Sequence, residues 1–96
     1  MTRALAILNY NGLNLLKLFL KENIKNTPNT KTYIIDNNSN DGSIEFVKTK
    51  FPDVKIIRLE KNLGYAGGYN AAVKHINEDL IFFLNKDLDL PRYNSI

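Results

Sequence analysis

The sequence predicts an α/β fold in three layers, with a parallel sheet between helices that cover both of its faces. Short apolar runs without polar alternation occur at 4–8, 33–35 and 80–84, and segments with helical periodicity lie between them. Such runs are typical of strands that are buried on both faces, and strands that alternate with helices form right-handed βαβ units. The 96 residues suffice for one domain of this kind.

The four predicted strands cover residues 3–9, 31–36, 54–59 and 79–84. The third strand differs from the others because it carries Lys55 and Arg58, whose side chains point to opposite faces. A strand with a charge on each face fits the edge of a sheet better than its centre.

The three predicted helices cover residues 12–25, 42–50 and 67–77. In the first helix apolar residues recur at steps of three and four, at Leu13, Leu16, Leu20 and Ile24. Asn11 is its expected N-cap and Pro28 prevents its continuation. Asp41 is the expected cap of the second helix, which Pro52 ends. The third helix begins in a stretch rich in glycine, and the tail at 88–96 has no period and is predicted to be irregular.

Composition excludes several classes of site and partner. The chain has no cysteine and a single histidine, so disulfides, thiolate metal sites and multi-histidine metal sites are excluded. A net charge of +3 is too modest to indicate a nucleic-acid partner. Residues 1–9 hold too short an apolar run for a signal peptide or a membrane span. We therefore expect a cytoplasmic protein, either free or attached at the periphery of a membrane.

Small polar, acidic and glycine residues follow all four predicted strands, at 9–12, 36–42, 60–68 and 85–89. The opposite connections carry mostly lysine, threonine and proline. Open parallel sheets bind their ligands in a crevice at the carboxyl ends of the strands. The sequence therefore predicts that the functional site lies along this edge of the sheet.

Three features of this edge point to ligand binding. Asp36 ends an apolar strand, where a carboxylate is costly to bury without a partner. Residues 64–68 place three glycines at the start of a helix, which is the chemistry of a phosphate cradle. Asn85, Asp87 and Asp89 offer oxygen ligands at two-residue spacing, which suits Mg²⁺ or Mn²⁺.

Each feature also has a purely structural interpretation. Asn37, Asn38 and Asn40 are favoured as ordinary turn residues, and glycines serve tight turns without any ligand. The acidic pair after the fourth strand can be a solvated strand exit. Tyr65 and Tyr69 are interpreted as packing residues rather than stacking platforms.

The four loops together are more specific than any one of them. They read Asn-Tyr-Asn-Gly after the first strand, Ile-Ile-Asp-Asn-Asn-Ser-Asn-Asp-Gly-Ser around the second, Asn-Leu-Gly-Tyr-Ala-Gly-Gly-Tyr-Asn before the third helix and Phe-Phe-Leu-Asn-Lys-Asp at the fourth. In this order they resemble the family 2 glycosyltransferases of the GT-A fold, nearest to their rhamnosyltransferase-like branch, over roughly residues 3–90. The resemblance implies the strand order 3-2-1-4, counted along the chain.

The resemblance also implies a binding site for a UDP-sugar or dTDP-sugar donor. The residues implied to bind its nucleotide are Tyr10, Asn11, Asp36, Asn62, Gly64, Gly67 and Asn70. Asp36 is implied to accept the N3–H of the base, which makes a charge-assisted hydrogen bond. Asp87 and Asn85 are implied to hold Mg²⁺ or Mn²⁺, and the amide of Asn85 leaves the metal one carboxylate where the family's Asp-x-Asp motif has two.

Family members continue beyond this point, with a second half that binds the glycan acceptor and supplies the catalytic base. Residues 90–96 contain no carboxylate that could act as that base. We therefore expect the nucleotide-sugar-binding half of an enzyme of polysaccharide assembly, inactive in transfer by itself, over residues 1–96.

The alternatives are a non-catalytic nucleotide-binding or self-associating module and, less well supported, a response-regulator or NAD-binding domain. The loop after the first strand lacks the acidic cluster of response regulators, and it also lacks the glycines of NAD-binding domains. With the strand order 3-2-1-4, the apolar fourth strand forms an exposed edge, so a homo-oligomer through that edge is also expected.

Overall fold

The structure is a computed structural model and describes residues 1–85. Its elements are β1 (Arg3–Asn9), α1 (Leu13–Lys25), β2 (Lys31–Asp36), α2 (Ser43–Lys50), β3 (Lys55–Arg58), α3 (Gly64–Val73) and β4 (Leu80–Asn85). The predicted alternation of strands and helices is confirmed. No helix in this part of the chain is long and apolar enough to cross a membrane.

The sheet is parallel throughout, with the strands in the order β3-β2-β1-β4. This is the predicted order, with β3 at one edge, as its two charges required, and β4 at the other edge of the described sheet. At the centre, Ile7 of β1 pairs with Ile34 of β2 and Leu84 of β4. Because all four strands run in the same direction, their carboxyl ends lie side by side, and we call this end of the sheet its carboxyl edge.

Two hydrophobic cores lie on the two faces of the sheet. On one face, Leu16 and Leu20 of α1 and Val47 of α2 pack against Ile7 and Ile34. On the other face, α3 brings Ala72 against the sheet, with Ala6, Leu8 and Ile35 in the same cluster. The small residues of α3 let this helix approach closely: a Cβ on Gly68 would lie 2.8 Å from Leu8 Cδ1.

The start and end of α3 differ from the predicted 67–77. The helix begins three residues earlier, at Gly64, because the Asn37 side chain accepts the N–H of Leu63 and holds the preceding residue at the strand exit. It ends at Val73 because the N–H groups of His75 and Ile76 bond to carbonyls three residues back, which tightens the chain out of the α-helix. The predicted bounds of β1 and β2 agree with the structure, and those of the remaining elements differ by no more than one residue at either end.

The prediction that Asn11 caps α1 is wrong. Asn11 has a φ of 49°, and its Oδ1 accepts a hydrogen bond from the backbone N–H of Asn40 at 2.8 Å. The first turn of α1 is served instead by Asp41, whose Oδ2 accepts the N–H of Leu13 at 3.0 Å. Gly42, and not the predicted Asp41, is the N-cap residue of α2. Asp41 lies one residue earlier, and its Oδ1 accepts the N–H of Ser43, the first residue of α2, at 3.0 Å. One carboxylate thus accepts an N–H group at the start of two neighbouring helices.

Candidate functional site

An open cavity of about 250 Å³ lies at the carboxyl edge of the sheet, where the loop after β1, the end of β2 and the start of α3 meet. The lining residues are Leu8, Asn9, Tyr10, Gly12, Leu15, Asn37, Asn62, Gly64 and Tyr65. Three residues predicted for the nucleotide site are among them, Tyr10, Asn62 and Gly64. The walls combine aromatic rings, aliphatic side chains and a few amides, which is the usual make-up of a small-molecule site.

The other residues predicted for the nucleotide site do not line this cavity. Asn11 is used to hold the loop after β2, as described above. Gly67 faces back toward Leu63, whose Cβ would lie 2.9 Å from a Cβ added at Gly67. Asn70 is exposed on the second turn of α3. Asp36 is fully buried behind the cavity wall.

The carboxylate of Asp36 is occupied by protein donors. Its Oδ1 accepts a hydrogen bond from Asn9 Nδ2 at 2.9 Å, and its Oδ2 accepts the backbone N–H of Ser39, also at 2.9 Å. Arg58 Nε lies 3.8 Å from Oδ2 and forms an ion pair with it. Asp36 therefore has hydrogen-bond and ion-pair partners that offset the cost of its burial.

Asn37 lines the cavity, although it was not among the residues predicted to bind the nucleotide. Its side chain is 2% exposed and connects the end of β2 to the start of α3. Oδ1 accepts the N–H of Leu63 at 3.1 Å, and Nδ2 donates to the carbonyl of Gly64 at 3.2 Å. The interpretation of Asn37 as an ordinary turn residue is wrong, because its partners lie in a different loop. Asn38, exposed with a φ of 67°, does adopt a turn conformation.

The start of α3 forms one side of the cavity. Asn62 Oδ1 accepts the N–H of Gly64 at 2.9 Å, and Gly64 has a φ of 73°. No atom lies within 4 Å of a Cβ built on Gly64, so the backbone is open to the cavity at this point. The first turn of a helix has backbone N–H groups without intrahelical partners and a positive dipole end, so this side suits an anion.

The two tyrosines interpreted as packing residues have different environments. Tyr69 donates its hydroxyl to the carbonyl of Leu84 at 2.9 Å and packs edge-on against Phe83, and burial raises its pKa to about 12. Its packing role is confirmed. Tyr65 lies in the cavity wall and its side chain is 49% exposed, a place that sequence periodicity did not indicate.

None of the lining residues carries a carboxylate, an amine or an imidazole. The cavity formed by the described residues therefore offers a ligand amides, backbone groups and tyrosine rings, and it has no carboxylate or imidazole to act as a general base.

Of the two residues predicted to bind a metal, Asn85 is the last described residue and Asp87 lies outside the described residues. Asn85 ends β4 beside Leu8 of β1, but its side chain and the whole of Asp87 fall outside the described residues. Within residues 1–85, no group of three or more His, Cys, Asp or Glu side chains could hold a metal ion.

The architecture and the loops now have a counterpart among known proteins. The model of the family Glycosyl transferase family 2 matches residues 5–93, nearly the whole chain. The chain belongs to glycosyltransferase family 2. A search of curated protein sequences finds no match.

Solved structures support the same fold for this family 2 chain. It resembles the mannosyltransferase PcManGT from Pyrobaculum calidifontis, solved in complex with GDP-Man and Mn²⁺, with 20% identity and a TM-score of 0.71 over 88% of this chain and 27% of that one. It also resembles TarS 1–349 from S. aureus, alone (TM-score 0.75) and in complex with UDP (TM-score 0.76), each at 22% identity over 91% of this chain and 28% of TarS 1–349. The fold is that of the GT-A glycosyltransferases.

The family 2 chain thus spans little more than a quarter of the length of these structures. At such identities the likeness establishes the fold.

Proposed function

We propose that the cavity binds the nucleotide of a nucleotide-diphospho-sugar, and that the chain is the donor-binding part of a glycosyltransferase acting on a glycan or polysaccharide acceptor. The observation that carries the proposal is the position of the cavity. It opens at the carboxyl ends of β1 and β2 in a family 2 chain, beside the N-terminus of α3. Open parallel sheets bind nucleotides at this kind of edge.

The cavity wall has two kinds of surface, one proposed for the base and ribose and the other for the diphosphate. Tyr10 is 54% exposed at the cavity, and with Tyr65 it provides ring faces and edges for a base and its ribose. Uracil and thymine present both a donor and acceptors, which suit the backbone groups and amides of the wall. On this basis UDP- or dTDP-sugars remain the proposed donors.

The diphosphate is proposed to lie against Asn62, Gly64 and the first turn of α3. This side offers the open backbone of Gly64 and the positive end of a helix of 10 residues. Asn85 is the last residue of β4, and Asp87 follows it two residues later in the sequence. Because they match the family pattern, these two residues are proposed to bind Mg²⁺ or Mn²⁺. Such a cation would stabilise the charge of the departing diphosphate.

We expect the isolated chain to bind the donor without transferring its sugar. Attack by an acceptor hydroxyl requires a base, and the described cavity contains none. A purely nucleotide-binding or self-associating module is the second candidate. It is favoured by the exposure of Phe82 and Phe83 on opposite faces of β4, which is an edge of the described sheet.

Calorimetric titration of the chain with UDP, dTDP and GDP, each with and without Mn²⁺, tests donor binding. Asn62→Ala removes the side-chain oxygen that accepts the N–H of Gly64. We expect the dissociation constant of the nucleotide to rise about tenfold, the usual effect of losing one hydrogen bond. Asn77→Ala is the matched control. Asn77 is also an exposed asparagine, but it precedes β4 and so lies near the amino ends of the strands, away from the cavity. Absence of binding for all three nucleotides, or an equal effect of the two variants, would contradict the proposal.

A further inference from the structure

The buried carboxylate of Asp36 controls the orientation of a residue in the cavity wall. Asn9 Nδ2 lies within hydrogen-bond distance of three acceptors: Asp36 Oδ1 at 2.9 Å, Ser39 Oγ at 3.2 Å and Ser43 Oγ at 3.0 Å. An amide NH₂ has two hydrogens, and the serine hydroxyls can turn to donate elsewhere. An ionised carboxylate only accepts, so Asp36 keeps the NH₂ of Asn9 pointing toward itself.

This orientation directs the other end of the Asn9 amide toward the loop after β1. Asn9 Oδ1 accepts the backbone N–H of Gly12 at 3.2 Å, and both residues line the cavity. If the Asn9 amide turned over, its oxygen would face the carboxylate and its NH₂ would face the N–H of Gly12. Both contacts would be repulsive, so the charge of Asp36 selects one arrangement of the wall.

Arg58 helps to hold the loop after β1 from outside the cavity, through Ser39 in the loop after β2. Arg58, on the edge strand β3, donates from Nη2 to the carbonyl of Ser39 at 3.0 Å. The Ser39 hydroxyl in turn accepts the backbone N–H of Asn11 at 2.8 Å, immediately after Tyr10. Arg58 is 51% exposed and is not among the lining residues, so its guanidinium reaches the wall only through Ser39 and Asp36.

We propose that Asp36 and Arg58 are positioning residues for the nucleotide site, Asp36 acting through Asn9 and Arg58 through Ser39. Neither contacts the ligand. Together they hold the segment from Tyr10 to Gly12 against the end of β2, so that the wall exists before the ligand arrives. This inference rests on the proposed function, and it replaces the expected contact between Asp36 and the base.

Four variants test it, with nucleotide affinity, unfolding by urea and the NMR signals of the Asn11 and Gly12 amides as readouts. Asp36→Asn keeps the shape but turns one acceptor into a donor facing Asn9 or Ser39. Arg58→Ala removes the contact with Ser39, and Lys55→Ala is the matched control, a cation removed from an exposed position of the same strand. We expect the dissociation constant for UDP to rise about tenfold in Asp36→Asn and about fivefold in Arg58→Ala, with little change in Lys55→Ala.

The same two variants are expected to move the Asn11 and Gly12 amide signals in the ligand-free chain, and Arg58→Lys is expected to restore part of the affinity. A purely structural role would lower the urea midpoint and leave affinity and signals as in the control, which would overturn the inference. If Asp36→Asn does not fold, Arg58→Ala decides alone. If the unaltered chain binds no nucleotide, the proposed function fails, while the amide signals still decide whether the two residues position the wall.

Discussion

Asp41 is the residue whose removal tests most directly how polar side chains hold this fold together. Its Oδ2 accepts the N–H of Leu13 at the start of α1, and its Oδ1 accepts both the N–H and, at 2.6 Å, the hydroxyl of Ser43 at the start of α2. Gly12 and Gly42, which directly precede the two helices, have no side chains that could replace it. Asp41→Ala therefore uncaps two helices at once.

The expected cost follows from the number of caps. Loss of one N-cap side chain costs about 1 kcal/mol, so Asp41→Ala is expected to lower the free energy of unfolding by about 2 kcal/mol. In a domain of this size that corresponds to a fall in Tm of roughly 8–16 °C. Asp41→Asn is the matched variant: it keeps an acceptor for Ser43 but has no second one for Leu13, so we expect a loss of about 1 kcal/mol.

The pH dependence gives an independent check. Partial burial alone would raise the pKa of Asp41, but the hydrogen bonds from Ser43 and from the backbone of Leu13 outweigh it, and the pKa lies below its ordinary value of 3.8. A carboxylate with a lowered pKa stabilises the fold above the unfolded-state pKa and loses this contribution as the pH falls through the folded-state pKa. The difference between the unaltered chain and Asp41→Ala is thus expected to be constant near neutrality and to shrink below about pH 4.

Urea unfolding followed by circular dichroism, at pH values from 7 down to 3, measures both effects. The order of stability expected at pH 7 is the unaltered chain, then Asp41→Asn, then Asp41→Ala. If Asp41→Ala costs less than about 0.5 kcal/mol, in the range of ordinary surface substitutions, the double cap contributes nothing and the reasoning is refuted. A difference that grows on acidification would refute the sign of the pKa argument.

Two further predictions concern Gly64 and the edge of the sheet. Gly64→Ala is expected to lower the free energy of unfolding by about 1 kcal/mol, because a φ of 73° is unfavourable for alanine although the space for its Cβ is open. Gly64→Asn should lower it less, because asparagine tolerates this conformation better. Equal losses for the two variants in urea unfolding would count against a conformational cause. Self-association through β4 predicts a concentration-dependent rise in sedimentation coefficient that Phe82→Lys, at a side chain 50% exposed, abolishes; a monomer at every concentration would disprove it.

The chain belongs to glycosyltransferase family 2, and its described residues form a cavity at the carboxyl ends of β1 and β2. The residues that line this cavity carry no charged side chain. The structures that the chain resembles are three to four times longer, as its share of 27% and 28% of their lengths implies.

Much of the fold could be predicted because each element has a local cause. The runs at 4–8 and 33–35 are buried on both faces, as β1 and β2 require at the centre of a sheet. Lys55 and Arg58 place a positive charge on each face of β3, and this pattern correctly predicted that β3 lies at the edge of the sheet. The start of α3 could not be predicted in the same way, because Gly64 adopts its conformation next to Asn37, a partner from the loop between β2 and α2.

The sequence by itself determined the order of the elements, the buried strands and the edge of the sheet that carries the polar residues. These follow from apolar periodicity and from the common direction of the strands. Only the tertiary structure decided which polar side chains face the cavity. Asp36 and Asn37 are neighbours in the chain, yet Asn9, Ser39 and Arg58 enclose Asp36 behind the wall while Asn37 lines it. Adjacent side chains at the end of a strand point to opposite faces, and which of them meets a ligand depends on distant partners that no local pattern contains.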